Sequence, residues 1–186
     1  MNGRAYSALG AHLKTLREAR GLTLSRLAAD AGLAKSSLSR LERGDANPTL
    51  DTLWRLAREL DVTFSALTAP IAKTTSVDAP LPAATDDVAL TLVERGMGAP
   101  AVDVYLMHLM PGAVRDAEPH TPGTEESVQL IAGSVSVGSQ KTSGTLAPGE
   151  RLTFDAGQAH RYVAYDDGAT LLVTIVYPHR HEEGDS

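Results

Sequence analysis

The sequence predicts two domains of different class: an all-α bundle of five helices over residues 1–68 and an all-β barrel over residues 86–178. Three observations predict it. From Leu9 to Leu67, apolar residues recur at the i, i+3, i+4, i+7 spacing of helices with one buried face. From Val88 onward the apolar residues fall instead in short alternating or β-branched runs, separated by Gly, Pro or Asp at the spacing of a sandwich or barrel. Between the two, residues 69–85 hold three prolines and many small residues without sustained periodicity, which predicts a linker. The last residues, 179–186, read as a disordered tail.

Leu9, Leu13 and Leu16 form the first helical stripe and Gly21 supplies its stop, giving a helix from about Ser7 to Arg20. Thr23 stands where an N-cap oxygen is needed, Leu24, Leu27, Ala28 and Ala31 make the buried face that follows, and Gly32 ends it. Leu38 and Leu41 point a third helix inward, and Gly44 closes it. Asn47-Pro48-Thr49 is a turn and cap before Leu53, Leu56, Ala57 and Leu60, and Phe64–Leu67 starts a short fifth helix. The outward face of the third helix is Lys35, Ser36, Ser39, Arg40 and Arg43, with no acidic group on it. Such a face suits a groove lined by phosphates and base edges.

Residues 9–67 resemble the five-helix DNA-binding domain of the Cro and phage-repressor (XRE) helix-turn-helix type. The matching phrases are Leu16–Leu24, Leu38–Gly44 and Asn47–Ala57. The resemblance implies that Lys35, Ser36 and Arg40 reach base edges of double-stranded operator DNA, with Arg43 nearer the backbone and Ser39 and Thr23 also among the DNA-binding residues. It also implies a partly buried ion pair between Arg17 and Glu42, where the residues alone equally fit two solvated charges. Ala34 departs from the pattern, since a Ser or Thr cap is usual at the start of the recognition helix.

Charge is distributed to match. Residues 1–70 carry ten Lys/Arg against seven Asp/Glu, and residues 71–186 carry seven against sixteen. A basic head on an acidic body fits a DNA-facing domain joined to one with another task. The absence of cysteine excludes disulfides and zinc–thiolate sites and fits a cytoplasmic location. No apolar run has the length of a membrane span or a signal segment, so no membrane partner is expected.

The expected strands are Val88–Val93, Val102–Leu109, Val128–Ile131, Ser134–Val137, Arg151–Phe154, Arg161–Tyr165 and Thr170–Tyr177. Turns are expected at Pro111-Gly112, Ala132-Gly133, Pro148-Gly149 and Asp167-Gly168. Together these runs resemble a cupin, the double-stranded β-helix related to the jelly roll. Gly112, His120, Glu126 and Gly133 match the first cupin motif, with Pro122 in place of its second His. Gly149, Asp155, Gly157, His160 and Ala164 match the second, with its Pro and Asn replaced.

The cupin resemblance implies that His120, Glu126 and His160 converge inside the barrel, as a two-His-one-carboxylate set for a divalent metal (Fe, Zn, Mn or Ni). Two readings of that set stay open: a metal centre, or hydrogen-bonding groups for an organic ligand flanked by Tyr105, Tyr162 and Met107. A register slip of one residue would turn Glu126 outward and Glu125 inward. His108 fits either cavity or core, His12 reads as solvated, and His179 and His181 belong to the tail.

These readings favour a transcriptional regulator over an enzyme, with no catalytic residues expected. Its head would bind an operator while the cupin senses a small-molecule effector and joins a homodimer. Two heads on one face of the duplex are needed for useful discrimination. The alternative is a cupin-type Fe(II) oxygenase or epoxidase with a vestigial head, and a third possibility is a ligand-independent DNA binder with a barrel packed solid. The basic outward face of the third helix favours the first.

Overall fold

The structure, a computed structural model, describes residues 3–74, 87–96 and 98–178. Five helices form the head: α1 (Gly3–Ala19), α2 (Leu24–Asp30), α3 (Lys35–Glu42), α4 (Leu50–Glu59) and α5 (Phe64–Thr74). Thr23 caps α2 by accepting from the Arg26 amide at 3.1 Å, and Thr49 caps α4 by accepting from the Thr52 amide at 3.0 Å. Ala34, at the same position before α3, makes no side-chain cap bond. The predicted stripes converge: Leu13, Leu27, Leu38, Leu53, Leu56, Leu60 and Leu67 are all buried. Each such side chain stabilises the fold by about 1.5–3 kcal/mol relative to exposure.

α1 and α3 cross so closely at Gly10 that a Cβ there would collide with the carbonyl oxygens of Leu41 and Glu42. The same crossing is tied by the Arg17–Glu42 pair. Arg17 Nε lies 2.6 Å from Glu42 Oε1 and Nη2 3.0 Å from Oε2, while Nη1 donates to the Leu22 carbonyl at 2.8 Å. Both side chains are about nine-tenths buried, so the expected ion pair is present.

The fifth helix is longer than the sequence suggests. It continues through Pro70 to Thr74, so the first residues of the expected 69–85 linker are helical. A proline inside a helix orphans the carbonyl four residues earlier. Here that carbonyl belongs to Ala66, and His12 Nε2 bonds it at 3.0 Å. His12 is therefore a half-buried partner of α5 rather than a solvated side chain. Residues 75–86 of the linker and the 179–186 tail lie outside the described residues.

The β domain has the cupin-type architecture expected. Its strands are β1 (Val88–Gly96), β2 (Val102–Leu109), β3 (Val114–Ala117), β4 (Glu125–Ser139), β5 (Ser143–Leu146), β6 (Arg151–Asp155) and β7 (His160–Val176). All pair antiparallel in the order β1-β2-β7-β4-β5, with β3 on β7 and β6 on β4. Two long strands replace four predicted short ones. β4 and β7 pair from Glu125↔Val176 to Ser139↔His160, with register shifts around Leu130–Val135. The expected turns at Ala132-Gly133 and Asp167-Gly168 are thus bends inside continuous strands. Gly133 backs onto Gly168 so closely that a Cβ would strike the Gly168 carbonyl, so the glycines permit a kink rather than a chain reversal.

The head sits directly on the barrel. Asp103 on β2 is buried, and its Oδ2 accepts from the Ser65 amide at 3.1 Å, the Tyr105 hydroxyl at 3.1 Å and the Tyr177 hydroxyl at 2.9 Å. The Tyr177 oxygen in turn accepts from the Phe64 amide at 3.1 Å. The first amides of α5, which have no partner within the helix, are therefore satisfied by barrel side chains, and the Asp103 carboxylate complements the helix dipole.

Candidate functional site

On α3 the alternation of inward leucines with polar residues leaves Lys35, Ser36, Arg40 and Arg43 exposed and Ser39 half-buried. Arg43 is partly engaged, with Nε 2.8 Å from Asp45 Oδ2 and Nη1 2.7 Å from Ser39 Oγ. Arg40 donates to the Asp45 carbonyl at 3.3 Å. Thr23 is exposed at the start of α2, its hydroxyl used in the cap.

The second cluster lies inside the barrel. The alternation of β4 turns Glu126 inward and Glu125 outward, which decides the register question. His160 opens β7, with Tyr162 two residues on and on the same inward face. His120 reaches in from the segment after β3, anchored where its amide donates to the Ala156 carbonyl at 2.9 Å. His120, Glu126 and His160 are all buried, and one ligand atom from each lies within 4.8 Å of the others. Glu126 Oε2 is 3.2 Å from His120 Nε2 and 3.6 Å from His160 Nε2. Glu126 Oε1 accepts a short hydrogen bond from the Tyr162 hydroxyl.

The Nε2 atoms of both rings lie close to one Glu126 oxygen. His160 Nδ1 lies 3.0 Å from the Gln158 carbonyl, which can only accept, so Nδ1 donates there and Nε2 is the nitrogen turned toward the cluster. Burial holds His120 below the usual imidazole range, against the opposing hydrogen bond and charge of Glu126. A neutral imidazole is the ligand form. A carboxylate this deeply buried is costly unless hydrogen bonds or a positive charge compensate it. The donor set therefore fits a divalent ion, with three protein ligands and open positions.

The surrounding cavity is small, about 20 Å³, and is walled by Leu90, Tyr105, Met107, Tyr162, Val173 and Ile175 together with Trp54 and Arg115. That is room for a water or an ion, and not for an organic molecule beside it. Tyr105, Tyr162 and Met107 line the cavity as expected, though the Tyr105 hydroxyl is spent on Asp103. His108 joins neither cavity nor core: it is exposed and bonds Thr170 Oγ1 at 3.1 Å. His179 and His181 lie outside the described residues.

Trp54 and Arg115 are the members that sequence reasoning missed. Trp54 belongs to α4 of the head, and its ring stacks on His120 with centroids 3.9 Å apart and planes at 25°. Its signal was legible: the α4 stripe is Leu53, Leu56, Ala57 and Leu60, and a large aromatic off that stripe calls for a second apolar contact. The third possibility, a barrel packed solid with apolar side chains, does not match a centre holding two imidazoles and a carboxylate.

Comparison with known proteins identifies the head. A helix-turn-helix family profile matches residues 13–67. The HTH-type transcriptional regulator SutR of Escherichia coli K12 is 33% identical over 155 residues, covering 83% of this chain and 85% of that protein. SinR of Bacillus subtilis, also an HTH-type transcriptional regulator, is 40% identical over 60 residues, covering 32% of this chain and 54% of that one. Among solved structures, an HTH_3 family transcriptional regulator from Vibrio cholerae superposes with a TM-score of 0.87 at 25% identity, covering 96% of this chain and 100% of that chain. No described helix is long and apolar enough to cross a membrane.

Proposed function

Because the chain belongs to the helix-turn-helix family of transcriptional regulators, we propose that it is an operator-binding homodimer whose cupin barrel is a sensory site built on a divalent ion. The observation that carries this reading is the stack of Trp54 on His120: a helix of the DNA-binding head lies against a candidate metal ligand. His120, Glu126 and His160 would hold the ion, and Tyr162 and the Gln158 carbonyl orient two of those ligands. An ion there supplies a fixed positive charge with open coordination positions. A change at the site bears on the head through Trp54. The polar links to α5 also fix the head on its barrel, so half-sites about 34 Å apart suit a twofold dimer better than widely variable ones. A monomer by light scattering in the presence of DNA contradicts the dimer.

The same ligand set alone would serve an Fe(II) oxygenase, but such an enzyme needs room for its organic substrate. Likeness to HTH-type transcriptional regulators over most of the chain favours the regulator. The test of DNA function is Arg40→Ala, titrated against duplexes from the chain's own upstream region. The substitution should lower affinity and relax the preference at one base pair by about 1–3 kcal/mol. A uniform loss across sequences with a shallower salt dependence would instead make Arg40 a phosphate contact.

A further inference from the structure

Three residues of α4 spaced i, i+3, i+7 face the barrel mouth, and each engages a barrel group. Asp51 Oδ1 accepts from Arg115 Nη2 at 3.1 Å, Trp54 stacks on His120, and Arg58 Nη1 donates to the Pro119 carbonyl at 3.2 Å. Arg115 is the cation of the cavity wall, and its side chain is only 9% exposed. The carboxylate that holds this buried guanidinium is thus borrowed from the DNA-binding head.

We propose that Asp51 stands in for the ligand, and that the barrel senses a short aliphatic carboxylate that takes Arg115 from Asp51 and the space of Trp54. The chemistry is set by what occupies the place already. A guanidinium fork matches a carboxylate bidentately, and a free carboxylate can meet that geometry without the constraint of a helix backbone. Leu90, Met107, Val173 and Ile175 supply an apolar lining for a hydrocarbon tail. A cavity of about 20 Å³ has no room for such a tail while the indole is seated, so entry and displacement of Trp54 are one event. Ligand and head then compete for the same mouth. By linkage, whatever weakens the docking of α4 tightens ligand binding, and the ligand loosens α4 in return. This rests on the barrel being the sensory site, and not on the identity of its ion.

Trp54 is the only tryptophan in the chain, so its emission reports the event directly. The experiment titrates the full chain, ion-loaded and ion-stripped, with sodium butyrate, using sodium chloride at equal ionic strength as reference. A saturable red shift is expected as the indole leaves its stack. Its midpoint should fall about tenfold in Asp51→Asn and rise about tenfold or more in Arg115→Gln. Asp51→Asn leaves every barrel residue in place and keeps the test readable if Arg115→Gln does not fold. No saturable shift in wild type and Asp51→Asn, an unchanged midpoint in Asp51→Asn, or an equal response to sodium sulfate overturns the proposal. Bound ion without a butyrate response sinks this inference and spares the metal reading; a butyrate response in a chain that binds no ion does the reverse.

Discussion

Glu42→Ala should destabilise the head by about 3–5 kcal/mol. The substitution leaves the Arg17 guanidinium, 8% exposed, with the Leu22 carbonyl and the exposed Glu18, 3.6 Å away, as its remaining acceptors. A buried charge that loses its partner costs far more than a surface pair, whose worth is about 0–1 kcal/mol. For a domain of this size the loss is a large share of total stability and lowers the melting temperature by more than about 10 °C. DNA binding should fail with it, since Glu42 ends the recognition helix and Arg17 ties that helix to α1. The double substitution Arg17→Met with Glu42→Leu should recover most of the stability, because no charge is then left buried. Thermal unfolding followed by helical circular dichroism reads both. A loss under about 1 kcal/mol for Glu42→Ala would mean that the pair is effectively solvated.

His160→Ala should abolish ion binding by the barrel. It removes the imidazole whose Nε2 is presented by the Gln158 carbonyl, leaving two of the three ligands. Tyr162→Phe should be milder. It removes only the hydroxyl that orients Glu126, and changes of that kind weaken metal sites by about 10–100-fold. An ion that binds only the folded state raises stability by about 2.7 kcal/mol at a hundred times its dissociation constant. Wild-type protein should therefore melt higher as Ni(II) or Fe(II) is added, Tyr162→Phe only at higher concentration, and His160→Ala not at all. Retention of the full shift in His160→Ala would remove that residue from the site.

Much of this was legible from local pattern. Helical spacing located all five helices, because each buries one stripe, and a glycine follows the ends of α1, α2 and α3. The cupin resemblance implied that His120, Glu126 and His160 converge, and their ligand atoms do lie together although His160 is far from the other two in sequence. The misses share a cause: the deciding partner was distant. Pro70 reads as a break until His12 is seen occupying the carbonyl it orphans. Gly133 and Gly168 read as turns until Gly133 is found against Gly168 and Gly168 against Leu109 and Pro111. β3 and β5, four residues each, are too short to show a period, and their pairing to β7 and β4 defines them. Arg115 looks like any charged strand residue until α4 is laid across the barrel and Asp51 meets it.

On the proposed reading, the buried His/Glu site and the DNA-binding head act on one another. This coupling is tested most directly by one titration of the full chain against its own upstream DNA, at fixed salt, first stripped of metal and then reloaded with Fe(II). Loading should fix His120 beneath Trp54 and steady the head, so the stripped protein should bind DNA at least about fivefold more weakly and recover on reloading. Equal DNA affinity with the ion bound and removed would contradict the account.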